Sequence, residues 1–125
     1  EDLDIRGPER MRTVPKHVVV QGTQKFTWSI FAESPKEMTF DVSYSFQGTS
    51  SKSKMVLRTA QNSLLHDVSP TGKTVGEPNQ NWVIDNFKCF RLGTIRFPEK
   101  GIYNIELEVQ AAKDEQVQFQ WVWMK

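Results

Sequence analysis

The chain has 125 residues, enough for one domain with a real core and too few for a catalytic barrel of roughly 250 residues. Sixteen Lys and Arg against fifteen Asp and Glu leave a formal charge of +1 with the signs interspersed, so nucleic acid and charged membrane surfaces are not expected partners. A single cysteine excludes an internal disulfide, and no apolar run reaches the roughly 18 to 20 residues of a membrane span, so no membrane insertion is expected.

Residues 1–15 are charged, contain Pro8 and Pro15, and offer Leu3, Ile5 and Met11 as apolar side chains. They read as a linker or a strap laid across the domain formed by 16–125. The abrupt opening on Glu1-Asp2-Leu3-Asp4, with no charged-then-apolar leader, is expected of a processed terminus or a segment cut from a longer protein. Residues 16–21, ended by Gly22, form a short β-branched strand that His17 begins. In 25–32, Phe26, Trp28 and Ile30 share one parity, and Ser34-Pro35-Lys36 turns the chain. Phe40, Val42, Tyr44 and Phe46 then alternate with Asp41, Ser43 and Ser45, the two-residue period of a strand with one dry face.

After a polar loop over 48–54, residues 55–59 and 63–68 make a strand pair around Ala60-Gln61-Asn62, with His66 inside the second strand. The irregular segment 69–81 carries Pro70, Gly72, Gly76 and Pro78, and long loops in compact domains are where function tends to sit. Trp82-Val83-Ile84 and 87–92 return the chain to the sheet. Ile95 and Phe97 share a parity, Pro98-Glu99-Lys100-Gly101 supplies a turn, and Tyr103, Ile105, Leu107 and Val109 alternate with Asn104, Glu106 and Glu108. Val117, Phe119, Trp121 and Trp123 repeat the alternation after the polar link 112–116.

The expectation is a three-stranded meander with those apolar residues, both tryptophans included, in the core alongside Trp28. On an outer face, Trp121 and Trp123 would instead form an aromatic platform for flat ligands or partners. No stretch of ten or more residues shows helical recurrence. About eight strands with Gly, Pro and Ser punctuation specify an all-β, two-layer antiparallel β-sandwich of jelly-roll type. An immunoglobulin-like sandwich is the alternative, without the Cys-Trp-Cys spacing of true immunoglobulin domains.

No catalytic residue is assigned. Neither His17 nor His66 accompanies a nucleophile motif. Asp41, Glu106 and Glu108 fall on outer strand faces, where solvation accounts for them, and Asp114-Glu115 falls in a turn. No cofactor and no metal ligands are expected, although a structural calcium held by loop carbonyls would leave no motif to read. Cys89, with no Cys or His at ligand spacing, is expected to be a small buried side chain. What remains is the polar-aromatic stretch 77–86. A sugar presents hydroxyls that suit planar amides and carboxylates, and a C–H face that suits an aromatic ring. Asn79, Asn81, Trp82, Asp85 and Asn86 have that chemistry and are the candidate carbohydrate-binding residues. In the competing account Trp82 anchors the core and the amides satisfy irregular backbone.

The run from Arg91 to Leu107 (RLGTIRFPEKGIYNIEL), closed by Trp121-Val122-Trp123, resembles the last strands of the β-sandwich domains that follow catalytic barrels in bacterial glycoside hydrolases, in particular the C-terminal domain of bacterial alpha-L-fucosidases. The strand from Asp41, the turn 68–72 and Trp82 ahead of the closing strands fall in the order such domains show. The resemblance implies a galactose-binding-like jelly roll acting as a carbohydrate-binding module or packing on a catalytic domain. The parent enzyme would be exported to the periplasm, cell surface or medium, and its catalytic nucleophile and acid would lie in a barrel outside this chain. It places the ligand among loops at one end of the sandwich, here 72–86. The alternative is an immunoglobulin-like interaction module with no small-molecule ligand.

Overall fold

The computed structural model describes residues 3–4, 17–72 and 86–125. Among these the secondary structure is all strand: β1 (Leu3–Asp4), β2 (Val18–Val20), β3 (Thr23–Ala32), β4 (Lys36–Ser45), β5 (Lys54–Arg58), β6 (Ser63–Asp67), β7 (Lys88–Phe97), β8 (Gly101–Gln110) and β9 (Val117–Met124). They form two antiparallel sheets. The first runs β1-β9-β4-β7, with β2 also on β9, and the second runs β3-β8-β5-β6.

This topology is one long ribbon wrapped double. β5 pairs β6 around the tight turn after Arg58, β4 pairs β7, β3 pairs β8 and β2 pairs β9, each antiparallel. The ribbon is then closed on itself by β4 against β9 and β5 against β8. Folding a hairpin in this way gives the jelly roll expected from the sequence, two sheets that share one interior. Successive arms of the ribbon land in alternate sheets. The last three strands therefore make no meander: β7 and β9 lie in one sheet, each beside β4, and β8 lies in the other between β3 and β5. The turn 98–100 and the link 111–116 cross between layers instead of joining neighbours.

Burial follows the alternation where the strands are regular. Phe40, Val42 and Tyr44 of β4 and Ile105, Leu107 and Val109 of β8 face each other across the interior with at most 1% exposure, together with Met55 and Leu57 of β5. Each such side chain contributes about 1.5–3 kcal/mol by leaving water. Phe26, Trp28 and Ile30 pack on the same core from the β3 edge, half-buried.

Two register slips re-phase the alternation. Between Phe40 and Asp41 the β4 partner jumps from Gly93 to Arg91, so Leu92 is an extra residue. This explains why Leu92 is buried on the same interior as Ile95 and Phe97 despite opposite parity. Gly93 fits there for two reasons: its φ is 144°, and a Cβ would meet Leu64 Cδ2 at 3.0 Å. The second slip lies between Ser43 and Tyr44, whose partners on β9 are Trp121 and Phe119, which makes Gln120 the extra residue. Val117, Phe119, Val122 and Met124 are consequently the buried residues of β9. Trp121 and Trp123, expected in the core, stand half-buried on the outer face.

Cys89 corrects a third expectation. It pairs with Ser43 on the outward parity of β7 and is exposed.

Candidate functional site

Of the five residues with sugar-binding chemistry, Asn79, Asn81, Trp82 and Asp85 lie outside the described residues, as does the expected strand at 82–84. Asn86 lies against Gly72, where an added Cβ would sit 2.2 Å from Asn86 Oδ1. Gly72 is tied to the chain beyond β4: Gly48 N–H donates to Gly72 O at 3.0 Å and Thr71 N–H to Phe46 O at 2.9 Å. Thr71 Oγ1 in turn accepts from Phe46 N–H at 3.0 Å. Gly72 and Asn86 thus lie together at one end of the sandwich.

A depression of about 470 Å³ opens at that end between Gln47, Thr49, Asp114, Gln116 and Gln118. Glu115, read from the sequence as an ordinary turn residue, holds its wall together. Its carboxylate accepts from Ser53 Oγ at 2.5 Å, from Lys52 N–H at 3.1 Å and from Ser51 Oγ at 3.3 Å. Burial pushes the Glu115 carboxyl up, but those hydrogen bonds outweigh it and leave the group below the usual carboxylate range. Apart from Phe46 and Gln118 of β9 the walls are polar loop residues, and no tryptophan among the described residues lines them.

The aromatic chemistry lies instead on the outer face of the first sheet. Trp121 and Trp123 stand side by side with ring centroids 5.3 Å apart and planes at 59°. Strand register continues each ring into a row of polar groups: Trp123 is opposite Asp41, which is opposite Arg91, and Trp121 is opposite Ser43, which is opposite Cys89. Arg91 grips Asp41 through two bonds, Nε to Oδ1 at 3.0 Å and Nη2 to Oδ2 at 3.4 Å, and this raises the guanidinium above its ordinary pKa. Ser43 Oγ donates to Gln120 Oε1 at 2.7 Å, so the bulged residue is tied back to the sheet that presents the rings.

One face thus joins two indoles, a carboxylate held by a guanidinium, and a carboxamide. The sequence leaves this arrangement open. Val117, Phe119, Trp121 and Trp123 are apolar on odd positions while Val122 and Met124 are apolar on even ones, so 121–124 fit either phase and the pairing with β4 selects the one with an extra residue.

The histidines occupy other surroundings. His66 Nε2 is 2.8 Å from the Tyr44 hydroxyl, which accepts from Ser69 N–H at 2.8 Å. Phe90 stacks on Tyr44 at 4.6 Å and 14° and touches His66 at 5.3 Å. Burial pushes the Tyr44 phenol up to about 12, against the hydrogen bonding of Ser69. Burial also holds His66 below its ordinary value, against the pull of Asp67. His17 meets Phe87 edge to face at 5.6 Å. Among the described residues no three His, Cys, Asp or Glu side chains come together as a metal site.

No protein-family model matches the chain, and no curated protein matches it. Among solved structures the chain is similar to the mosquito-larvicidal Cry4Aa toxin from Bacillus thuringiensis, with a TM-score of 0.65 and 13% sequence identity over 86% of this chain. The chain spans 20% of the length of that toxin, and at this identity the likeness is one of fold.

Proposed function

We propose that this domain is a non-catalytic glycan-binding module, an accessory to a catalytic domain in an exported bacterial glycoside hydrolase. Its ligand surface is the outer face of the first sheet. The observation that carries the reading is the Trp121–Trp123 pair, turned outward by the β9 bulge and continued across the sheet by the Asp41–Arg91 ion pair. An indole covers the C–H face of a pyranose, and Asp41, Arg91 and Gln120 supply acceptors and donors for ring hydroxyls. A shallow, wet site of this kind gives weak affinity, and avidity with a neighbouring catalytic domain makes weak affinity sufficient.

A titration with fucosylated and galactosylated oligosaccharides, followed by indole fluorescence, tests the reading on wild type, Trp123→Ala and Trp82→Ala. Loss of binding in Trp123→Ala with retention in Trp82→Ala is the expected result. The reverse pattern moves the site to segment 72–86, and no binding by the wild type sinks the glycan reading altogether.

A further inference from the structure

Sheet edges present unpaired N–H and C=O groups, and proteins ordinarily interrupt or charge them. Among the described residues β7 bonds to β4 alone, is broken by the slip at Gly93 and carries Lys88, Arg91 and Arg96. β6 is five residues long and β2 three. β3 differs: among the described residues it bonds only to β8, over ten consecutive pairs with no register shift. It contains no proline, and its outward side chains are Thr23, Lys25, Thr27, Ser29 and Phe31, all exposed. Phe31 is 54% exposed and lies opposite Ile102, which is 72% exposed. The charges on this outward parity are Lys25 near one end and Glu33 just past the other.

We propose that β3 is the edge through which two copies of this chain associate, antiparallel about a two-fold axis at Ser29, so that their four-stranded sheets become continuous. Residues directly opposite in an antiparallel pair share a face. With Ser29 on the axis, Lys25 of one copy faces Glu33 of the other, twice, and Phe31 of each copy lies over Thr27 of the other. A parallel arrangement in register would set Lys25 against Lys25 and Glu33 against Glu33. The charge pattern is thus self-complementary in one orientation alone, the isologous arrangement of a closed dimer, and this selects a second copy over an unrelated strand. The ion pair and the covered Phe31 supply specificity, and the edge hydrogen bonds supply the rest.

Sedimentation of the 125-residue chain over a concentration series up to the millimolar range tests this. A reversible monomer–dimer equilibrium is expected. Glu33→Lys should weaken it about tenfold or more by opposing like charges across the axis. Lys25 also faces Glu108 on β8, so Glu33→Lys is the cleaner single change, and the double reversal Lys25→Glu/Glu33→Lys should restore association to within about threefold. Ser29→Cys, placed in a Cys89→Ser background, should oxidise to a disulfide-linked dimer that reductant separates. A chain that stays monomeric at the highest concentration overturns the proposal. So does a dimer indifferent to the charge reversals, or one that Ser29→Cys fails to cross-link.

Discussion

β8 and β9 are neighbours in sequence with the same apolar-polar rhythm, yet they carry different outer faces. β8 holds its alternation through all ten residues, and its outer side chains Glu106 and Glu108 are claimed by Arg58 of β5, with Nη1 3.1 Å from Glu106 Oε2 and in contact with Glu108 as well. β9 loses phase at Gln120 and sets two indoles on its outer face. A regular strand thus spends its outer face on solvation and ion pairs, whereas a single inserted residue re-aims large apolar groups onto the outer face.

The largest effect that would break this comparison is a charge at the re-phased core position. Val122 is fully buried, so Val122→Asp should cost more than about 4 kcal/mol, a large share of the domain's whole stability. Trp123→Asp, on the outer face, should leave a folded chain. Urea denaturation compares them, and the opposite order of severity would mean that β9 keeps unbroken parity. On β8, where no phase change occurs, Leu107→Ala should cost about 2–5 kcal/mol as a plain cavity.

The next effect depends on pH and concerns Tyr44, which lies opposite Phe119 just ahead of the slip. Because its folded pKa is raised to about 12 from 10.0, its contribution is complete below pH 10 and is lost as pH rises from 10 through 12, on the order of 2–3 kcal/mol in all. His66 is depressed from 6.5. Its contribution is therefore complete above pH 6.5 and is lost as pH falls from there through the lower folded value. Spectrophotometric titration of the phenols should show one tyrosine ionising near 12, and Tyr44→Phe should abolish that step. If no phenol titrates that high, Tyr44 is not buried as the fold requires.

Deletion of Gln120 sharpens the comparison further. Removing one residue from a strand ordinarily exchanges its two faces, but here Phe119 and Val122 would stay inward and Trp121 and Trp123 outward, since Gln120 is the unpaired residue. The deletion should cost only about 1–2 kcal/mol, chiefly the hydrogen bond with Ser43. Deletion of Glu106 from β8 should unfold the domain, and circular dichroism with thermal melting separates the two results. The smallest effect belongs to Arg58→Ala. Its side chain is 41% exposed, so water screens its pairs with the two carboxylates, and the variant should melt close to the wild type, with a difference that shrinks at high salt.

The residues themselves determined much of the architecture. Strict alternation in 40–46 and 103–109 announced half-buried strands, the absence of helical recurrence announced an all-β chain, and the turn at 60–62 joins the pair β5 and β6 as read. Asp41, Glu106 and Glu108 face outward as their parity requires. Alternation is a property of a few adjacent residues, so it survives in the sequence unaided. Tertiary structure alone decided which strands become neighbours. β8 beside β3, and β9 beside β4, are pairings between segments dozens of residues apart, and the hydrogen bonds that make them are backbone bonds indifferent to side-chain identity. The outward turn of Trp121 and Trp123 belongs with those decisions, because a bulge exists only in relation to the partner strand that leaves one residue unpaired.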